Sequence, residues 1–365
     1  MDALSLPFSS WLNAPAHQAW LAAEGLRLLD FAKASRLPSG FGNLDEQGRL
    51  PSGAQAETMN TARMTHSFAM AHIQGLPGYA ALVDHGIAAL GGPLRDAEHG
   101  GWFAVAGQAD GNSTKAAYLH AFVALAASSA VVAQRPGAER LLEEAIAIID
   151  RHFWSEEEGA LRESFNCDWS QPEAYRGANS NMHATEAFLA LADVTQDSRW
   201  LTRALRIVER VIHTQAAAND FMVIEHFDLA WQPLRDYNQA FPADGFRPLW
   251  HHPGTRLRMG AAVAAPGGFA GEGRHADPRL AGAGRAEAVR KQLPPWLERR
   301  WRPGHGLHPG LGPPASGARA PALDPRRGQR RRQRLAQTHR PGPVRGLVPL
   351  FLGILRGPFH RPQAR

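Results

Sequence analysis

The sequence is short of sulfur, of tyrosine and of long apolar runs, and each shortage excludes something. One of the 365 residues is a cysteine, Cys167, so there is no internal disulfide framework, and a reducing compartment is expected. No stretch reaches the ~18 apolar residues that a membrane-spanning helix requires. The N-terminus has no charged segment followed by an apolar core, so no secretory leader is expected. The setting these absences predict is soluble and cytoplasmic. Tyrosine and asparagine are missing altogether from residues 249–365, where isoleucine occurs once.

What is present divides the chain in two. The formal net charge is +6 and the pI about 10.0, but the basic character is not shared. Residues 1–248 carry 18 Lys+Arg against 29 Asp+Glu, a net of −11, and residues 249–365 carry 22 against 5, a net of +17. The reading is therefore of an acidic globular part, 1–248, and an Arg/Pro/Gly-rich part, 249–365, with runs such as Arg330-Arg331-Arg332.

In the first part, apolar residues at helical spacing predict helices over Ala16–Ala34, Glu57–Gln74, Tyr79–Leu90, Lys115–Ala133 and Ala138–His152. A further helix ends at Ala204–Thr214. Between them Asp96–Val105 reads as a turn and short strand, answered across Asp110-Gly111. Gly159–Phe165 and Phe221–Phe227 read as short extended pieces. Helix, short hairpin, helix repeats at roughly 60-residue spacing, which points to paired helices in a solenoid or closed toroid. Arg63, Tyr118, Asn179 and His183 fall on alternate helices, as a closed helical barrel needs if they are to meet in one central pocket.

The most site-like stretch is Tyr175-Arg176-Gly177-Ala178-Asn179-Ser180-Asn181-Met182-His183-Ala184-Thr185-Glu186, a polar loop running into an apolar helix placed at Ala184–Ala192. If Asn179 already lies in the first turn, Asn179, His183 and Glu186 stand at i, i+4 and i+7 and share a face. An imidazole with an amide and a carboxylate beside it is a base with orienting partners. The plainer reading is a helix cap with a half-buried histidine. Taken singly, Arg63 is equally a core ion-pair residue, Tyr118 a packing residue and His226 a structural one.

Together Thr61-Ala62-Arg63-Met64, Val83-Asp84-His85-Gly86, Gly100-Gly101-Trp102, Phe153-Trp154-Ser155-Glu156-Glu157, the Arg176–Glu186 motif and Glu225-His226-Phe227-Asp228 resemble the N-acylglucosamine 2-epimerase superfamily. The likeness is to its aldose–ketose isomerase branch, that of mannose isomerase and sulfoquinovose isomerase. The resemblance implies an all-α fold, an (α/α)6 barrel, here incomplete with about seven helices formed. It also implies aldose–ketose isomerisation of an unphosphorylated sugar of the mannose/fructose type, by proton transfer through a cis-enediol. The alternatives within the superfamily are 2-epimerisation of an N-acylated or free hexose and isomerisation of sulfoquinovose. It implies no metal and no cofactor, with a small-molecule sugar as partner. Carried onto this sequence, it makes His183 and Arg63 catalytic and Tyr118, Asn179, Met182 and Glu186 substrate-binding. A histidine suits the task because its ordinary pKa near 6.5 lets it give and take a proton at neutral pH. Two departures stand out. Met59 occupies the place of a pocket tryptophan, and Gly245 that of the arginine with which the sulfoquinovose branch binds a sulfonate.

Residues 249–365 invite two readings. One is a basic nucleic-acid-binding tail, but it has no aromatic-interleaved pattern. The other is translation in a shifted frame. Read one base later, Trp250-His251 must give glycine, because tryptophan has one codon. Met259-Gly260 must likewise give tryptophan. The two forced residues fall nine apart, as the glycine and tryptophan do in the superfamily pattern F-G-x-x-P-G-H-x-x-E-W-A-R-L. In the chain as written, Thr255 then occupies the place of a second catalytic histidine and Arg258 that of its glutamate partner. No residue up to Arg365 matches a third catalytic histidine. The expectation is an isomerase stripped of much of its acid/base machinery and inactive as written.

Overall fold

A computed structural model describes residues 14–108, 114–219, 222–241, 244 and 247. Proline at its first position opens α1, Pro15–Lys33, where the missing N–H would have no partner anyway. A two-residue hairpin follows, β1 (Arg36–Leu37) against β2 (Gly40–Phe41). It leads to α2, Thr58–Ile73, and α3, Ala80–Leu90. Gly86 allows these two helices to approach, since a Cβ there would collide with the Thr65 hydroxyl of α2. The neighbouring His85 Nε2 lies 2.8 Å from the Leu37 carbonyl and 3.1 Å from that of Gly40, tying α3 to the first hairpin.

The stretch expected as a turn and short strand at Asp96–Val105 forms the turn, but in place of the strand only single bridges, Arg95 to Trp102 and Glu57 to Val105. Asp96 Oδ1 accepts the N–H groups of Glu98 and His99, and Gly101 takes the left-handed φ of +75°. The Trp102 indole N–H donates to the Leu90 carbonyl at 2.7 Å. Those side-chain and backbone demands curl the chain more strongly than the β-prone Trp-Phe-Ala-Val segment can extend it. Asp110 and Gly111, expected to answer it, lie outside the described residues.

Strand β3, Thr114–Ala116, precedes α4, Ala117–Val132. The helix therefore starts two residues later than its apolar pattern suggests, because Lys115 and Ala116 are drawn into pairing with β6. Helix α5, Ala138–Ile148, continues into a wider π-helical turn, Ile149–Phe153. Then come β4 (Trp154–Ser155) paired with β5 (Ala160–Leu161), and β6 (Ser164–Asn166) paired with β3. β7 (Arg176–Gly177) opens α6, Ala178–Thr195. α7, Ser198–Val208, starts on an Asp197 cap and also runs into a π-helical turn, Glu209–Ala216. β8, His226–Phe227, returns to pair with β7. The pairs β1–β2 and β4–β5 are local hairpins. The pairs β3–β6 and β7–β8 instead join successive helical units.

The helices form two layers. α2, α4 and α6 lie side by side with α4 in the middle, and α3, α5 and α7 each pack on the preceding inner helix. α4 is buried on all sides, from Ala117 and Leu119 through Phe122, Val123 and Ala126 to Ala130. A helix apolar all round has to sit inside. α7, by contrast, buries Trp200, Ala204, Ile207 and Val208 along one stripe, and its arginines Arg199, Arg203 and Arg206 pair with Asp150 and Glu156. The residues expected on alternate helices do lie on the inner layer, Arg63 on α2, Tyr118 on α4, and Asn179 and His183 on α6.

Candidate active site

The inner helices meet around one ring. Phe122 stands one turn beyond Tyr118 on α4. The Arg63 guanidinium of α2 lies 4.3 Å from the centre of the Phe122 ring, and the His183 imidazole of α6 lies 4.4 Å from it, centre to centre. A cation over a ring face is attracted by the ring quadrupole, so Phe122 places a positive charge beside a buried histidine. His183 is 6% exposed. Its Nδ1 lies 3.2 Å from Glu186 Oε2, and a carboxylate there selects the tautomer with the proton on Nδ1 and Nε2 as the base. Burial pushes the Tyr118 phenol up to about 12, against the pull of the Arg63 charge. Tyr118 is accordingly a neutral phenol at any working pH.

The start of α6 explains why the motif at 175–186 carries so many polar residues. The helix begins at Ala178, six residues before Ala184, with Gly177 extended at its cap position. Its first N–H donates to the Glu225 carbonyl at 2.9 Å. The Asn181 amide accepts the Leu161 N–H at 2.8 Å and donates to the Gly177 carbonyl at 2.9 Å. Arg176 makes a two-pronged pair with Glu158 at 2.7 and 2.8 Å. The Ala178 N–H is one of the first-turn donors that a helix cannot satisfy itself, while Asn181 and Arg176 tie the helix start to Leu161 and Glu158. They leave Asn179, His183 and Glu186 in one helix at the spacing expected of them. Asn179 and Glu186 are half-buried, and Met182 is buried on the flank of that face.

His226 is buried with its Nδ1 2.6 Å from the Tyr175 hydroxyl, and its ring lies 4.6 Å from that of Tyr237. Met59 is half-buried on α2, one turn before Arg63.

The sequence reading missed Phe122 and Glu163. Phe122 had a signal, its i+4 relation to Tyr118; Glu163 had none beyond being a lone carboxyl in an apolar extended piece. A second polar cluster lies around Asp96, where the ligand atoms of Asp96, His99 and Cys167 fall within 4.8 Å of one another. Lys115, fully buried, already donates to Asp96 Oδ2 at 2.6 Å and to the Gly100 carbonyl at 2.7 Å. Its ammonium supplies the charge that a cation would bring. Burial lowers the Lys115 pKa and favours neutrality. Burial would likewise raise Asp96, but Lys115 and the His99 and Glu98 N–H groups outweigh it and hold the carboxyl at about 2. With two backbone donors on the carboxylate as well, the pair is ionised.

The family model for N-acylglucosamine 2-epimerase (GlcNAc 2-epimerase) matches residues 40–258, a span that contains Arg63, Tyr118, Phe122 and His183. The chain belongs to this family. It is 68% identical over 263 residues to a D-mannose isomerase of Pseudomonas cannabina pv. alisalensis, a match covering 72% of this chain and 64% of that protein. It is 50% identical over 241 residues to a D-mannose isomerase of Thermobifida fusca, covering 65% of this chain and 59% of the relative. The chain thus spans less than two thirds of the length of either. Among solved structures, a crystal structure of D-mannose isomerase superposes with a TM-score of 0.65 at 26% identity, covering 73% of this chain and 68% of that one. A cellobiose 2-epimerase from Spirochaeta thermophila superposes at 0.53 with 22% identity, covering 60% and 58%, and shows the fold alone. The fold is that of an (α/α)6 barrel, to which the described residues contribute seven α-helices.

Proposed function

We propose that the Arg63–Tyr118–His183 cluster is the surviving part of the active site of an aldose–ketose isomerase for unphosphorylated sugars of the mannose/fructose type. The observation that carries this is the meeting of three inner helices on Phe122, in a chain 68% identical to a D-mannose isomerase over 263 residues. His183 Nε2 serves as a proton carrier between the sugar carbons, with Glu186 holding the ring. Arg63 stabilises the negative charge that develops on the enediol oxygen. Tyr118, Asn179, Met182 and Glu186 line the sugar, with Tyr118 offering a neutral hydroxyl to a sugar oxygen. The partner is a small neutral sugar and the compartment the cytoplasm. Among the described residues, no helix is long and apolar enough to cross a membrane.

The chain as written is a poor catalyst in this reading. Residues 1–248 are the barrel part and 249–365 an out-of-frame tail. The family match ends at residue 258, ten residues after Pro248. Thr255 and Arg258 stand where the acid/base partners of His183 belong, and both lie outside the described residues. Each missing proton-transfer group costs about 10²–10⁴ in rate.

Expression of the chain verbatim and with the frame restored at Pro248, followed by incubation with mannose, tests both parts. Fructose from the restored protein, at a rate at least about 10²-fold above the verbatim chain, is expected. Glucose as the product would favour a 2-epimerase instead. Equal turnover by the two proteins would overturn the reading of the tail. Salt-dependent, sequence-selective nucleic-acid binding by 249–365 would favour the basic-tail alternative.

A further inference from the structure

Glu163 lies between β5 and β6, and its two ends serve two different helices. Its backbone carbonyl accepts the Ala117 N–H at 2.8 Å, one of the first-turn donors of α4 that have no partner within the helix. Its side chain crosses to α6, where Oε1 accepts the Ser180 hydroxyl at 2.7 Å. Ser180 stands in the first turn of α6, between Asn179 and the residues leading to His183. One residue therefore bonds the starts of two of the three helices that carry the sugar-site side chains.

The carboxyl is built into its place. Glu163 is 4% exposed, and among the described residues its second oxygen, Oε2, has no hydrogen-bond partner. Gly177 makes the room for it, because a Cβ at that position would lie 2.6 Å from Oε2. The backbone of Gly177 is ordinary extended chain at φ −117°, so glycine is required there for space and not for conformation. The charged and titratable groups facing Glu163 are Tyr118 on α4, Tyr175 just before β7, Glu173 after β6, and Arg247, whose guanidinium lies 3.9 Å from Oε1. Arg247 is committed to Glu173, which it grips at 2.7 and 2.9 Å.

We propose that Glu163 is a positioning residue of the sugar site, locking the first turn of α4, which carries Tyr118, to the first turn of α6, which carries Asn179 and leads to His183. The inference rests on the sugar-site reading above. Burial favours the neutral carboxylic acid: it raises the pKa, and Ser180, Arg247 and the Gly177 N–H only partly draw it back. Ionising a buried carboxyl whose Oε2 makes no well-formed hydrogen bond is costly. The sign follows from the raised pKa. The lock is complete at low pH and is lost as pH rises through the pKa of the folded protein.

The test uses the full chain, unsubstituted and as E163Q, E163A and G177A, with mannose affinity read from tryptophan fluorescence and Tm read alongside, both across about pH 5 to 9. E163A and G177A should weaken mannose binding by about tenfold or more. E163Q, neutral at every pH and still able to accept from Ser180, should recover the affinity that E163A loses. It should also abolish the alkaline fall in both affinity and Tm. An E163A protein that folds and binds mannose like the unsubstituted chain would overturn the proposal. So would an E163Q protein that keeps the same alkaline fall. Failure of the unsubstituted chain to bind mannose counts against the sugar-site reading. The Tm profile of E163Q then still decides, by itself, whether the carboxyl locks the two helix starts.

Discussion

Replacing Lys115 by methionine is the sharpest test of how the site is supported. Lys115 sits on β3, three residues before Tyr118, with a side chain that is 0% exposed and pairs with the 3% exposed side chain of Asp96. The ammonium also lies 4.7 Å from the centre of the Phe103 ring and 5.4 Å from that of Trp169. Methionine nearly fills the same volume but brings no charge. Asp96 would keep the two backbone N–H groups on Oδ1, at 2.9 and 3.1 Å, while the Cys167 thiol and His99 Nδ1, each 3.6 Å from Oδ2, are too distant to replace the ammonium. Stranding one partner of a buried ion pair costs about 3–5 kcal/mol. With a urea slope of about 3 kcal/mol/M, the unfolding midpoint of K115M should fall by roughly 1–1.5 M. Adding D96N removes the stranded charge and keeps an acceptor for the backbone donors, so the double variant should regain more than half of the loss. The acid side gives an independent check. Asp96 is held at about 2 against an ordinary 3.8. Its contribution of about 2 kcal/mol is present above the unfolded pKa and lost as pH falls toward 2. K115M should flatten that acid dependence. A loss below about 1 kcal/mol in K115M, or a double variant as unstable as the single, would refute the claim of an ionised buried pair.

Three further outcomes are expected. H183Q in the frame-restored protein should lower mannose–fructose turnover by about 10²–10⁴-fold with little change in Tm, since the amide can still reach Glu186. Y118F should weaken sugar affinity without moving either limb of the pH profile, because the Tyr118 phenol is neutral up to about 12; a shifted alkaline limb would contradict this. G86A should force α3 away from Thr65 of α2 and cost about 1–3 kcal/mol, read as a Tm drop in a thermal melt, and T65A in the same chain should recover part of it.

Much of the fold was legible because helix periodicity is local. The apolar residues placed a helix at each of the seven described α-helices, α6 with its start six residues late. Helix starts were less legible. Ala178–Asn181 reads as loop because Asn and Ser compete with the backbone for hydrogen bonds. It folds as the first turn of α6 because Asn181 finds Leu161 and Ser180 finds Glu163. Lys115 reads as helix, and becomes strand because β6 lies beside it. Several motif residues that point to the family turn out to hold chain segments together, among them Asn181, Arg176, Gly86 and Gly101, while Arg63 and His183 both pack on Phe122.

By itself the sequence determined that the chain is built of paired helices, that its site-like residues fall on alternate ones, which family it resembles, and where its composition breaks. Each of these is written in spacing, composition or codon identity, which need no partner from elsewhere in the chain. Only the tertiary structure decided that Phe122 is the surface on which Arg63 and His183 meet, that Glu163 joins two helix starts, and that Lys115 and Asp96 form a buried pair. Those are relations between residues on different helices and strands. Burial alone turns a lone carboxyl into a lock and a lysine into a buried ion-pair partner, and no spacing along the chain records which groups will be buried together.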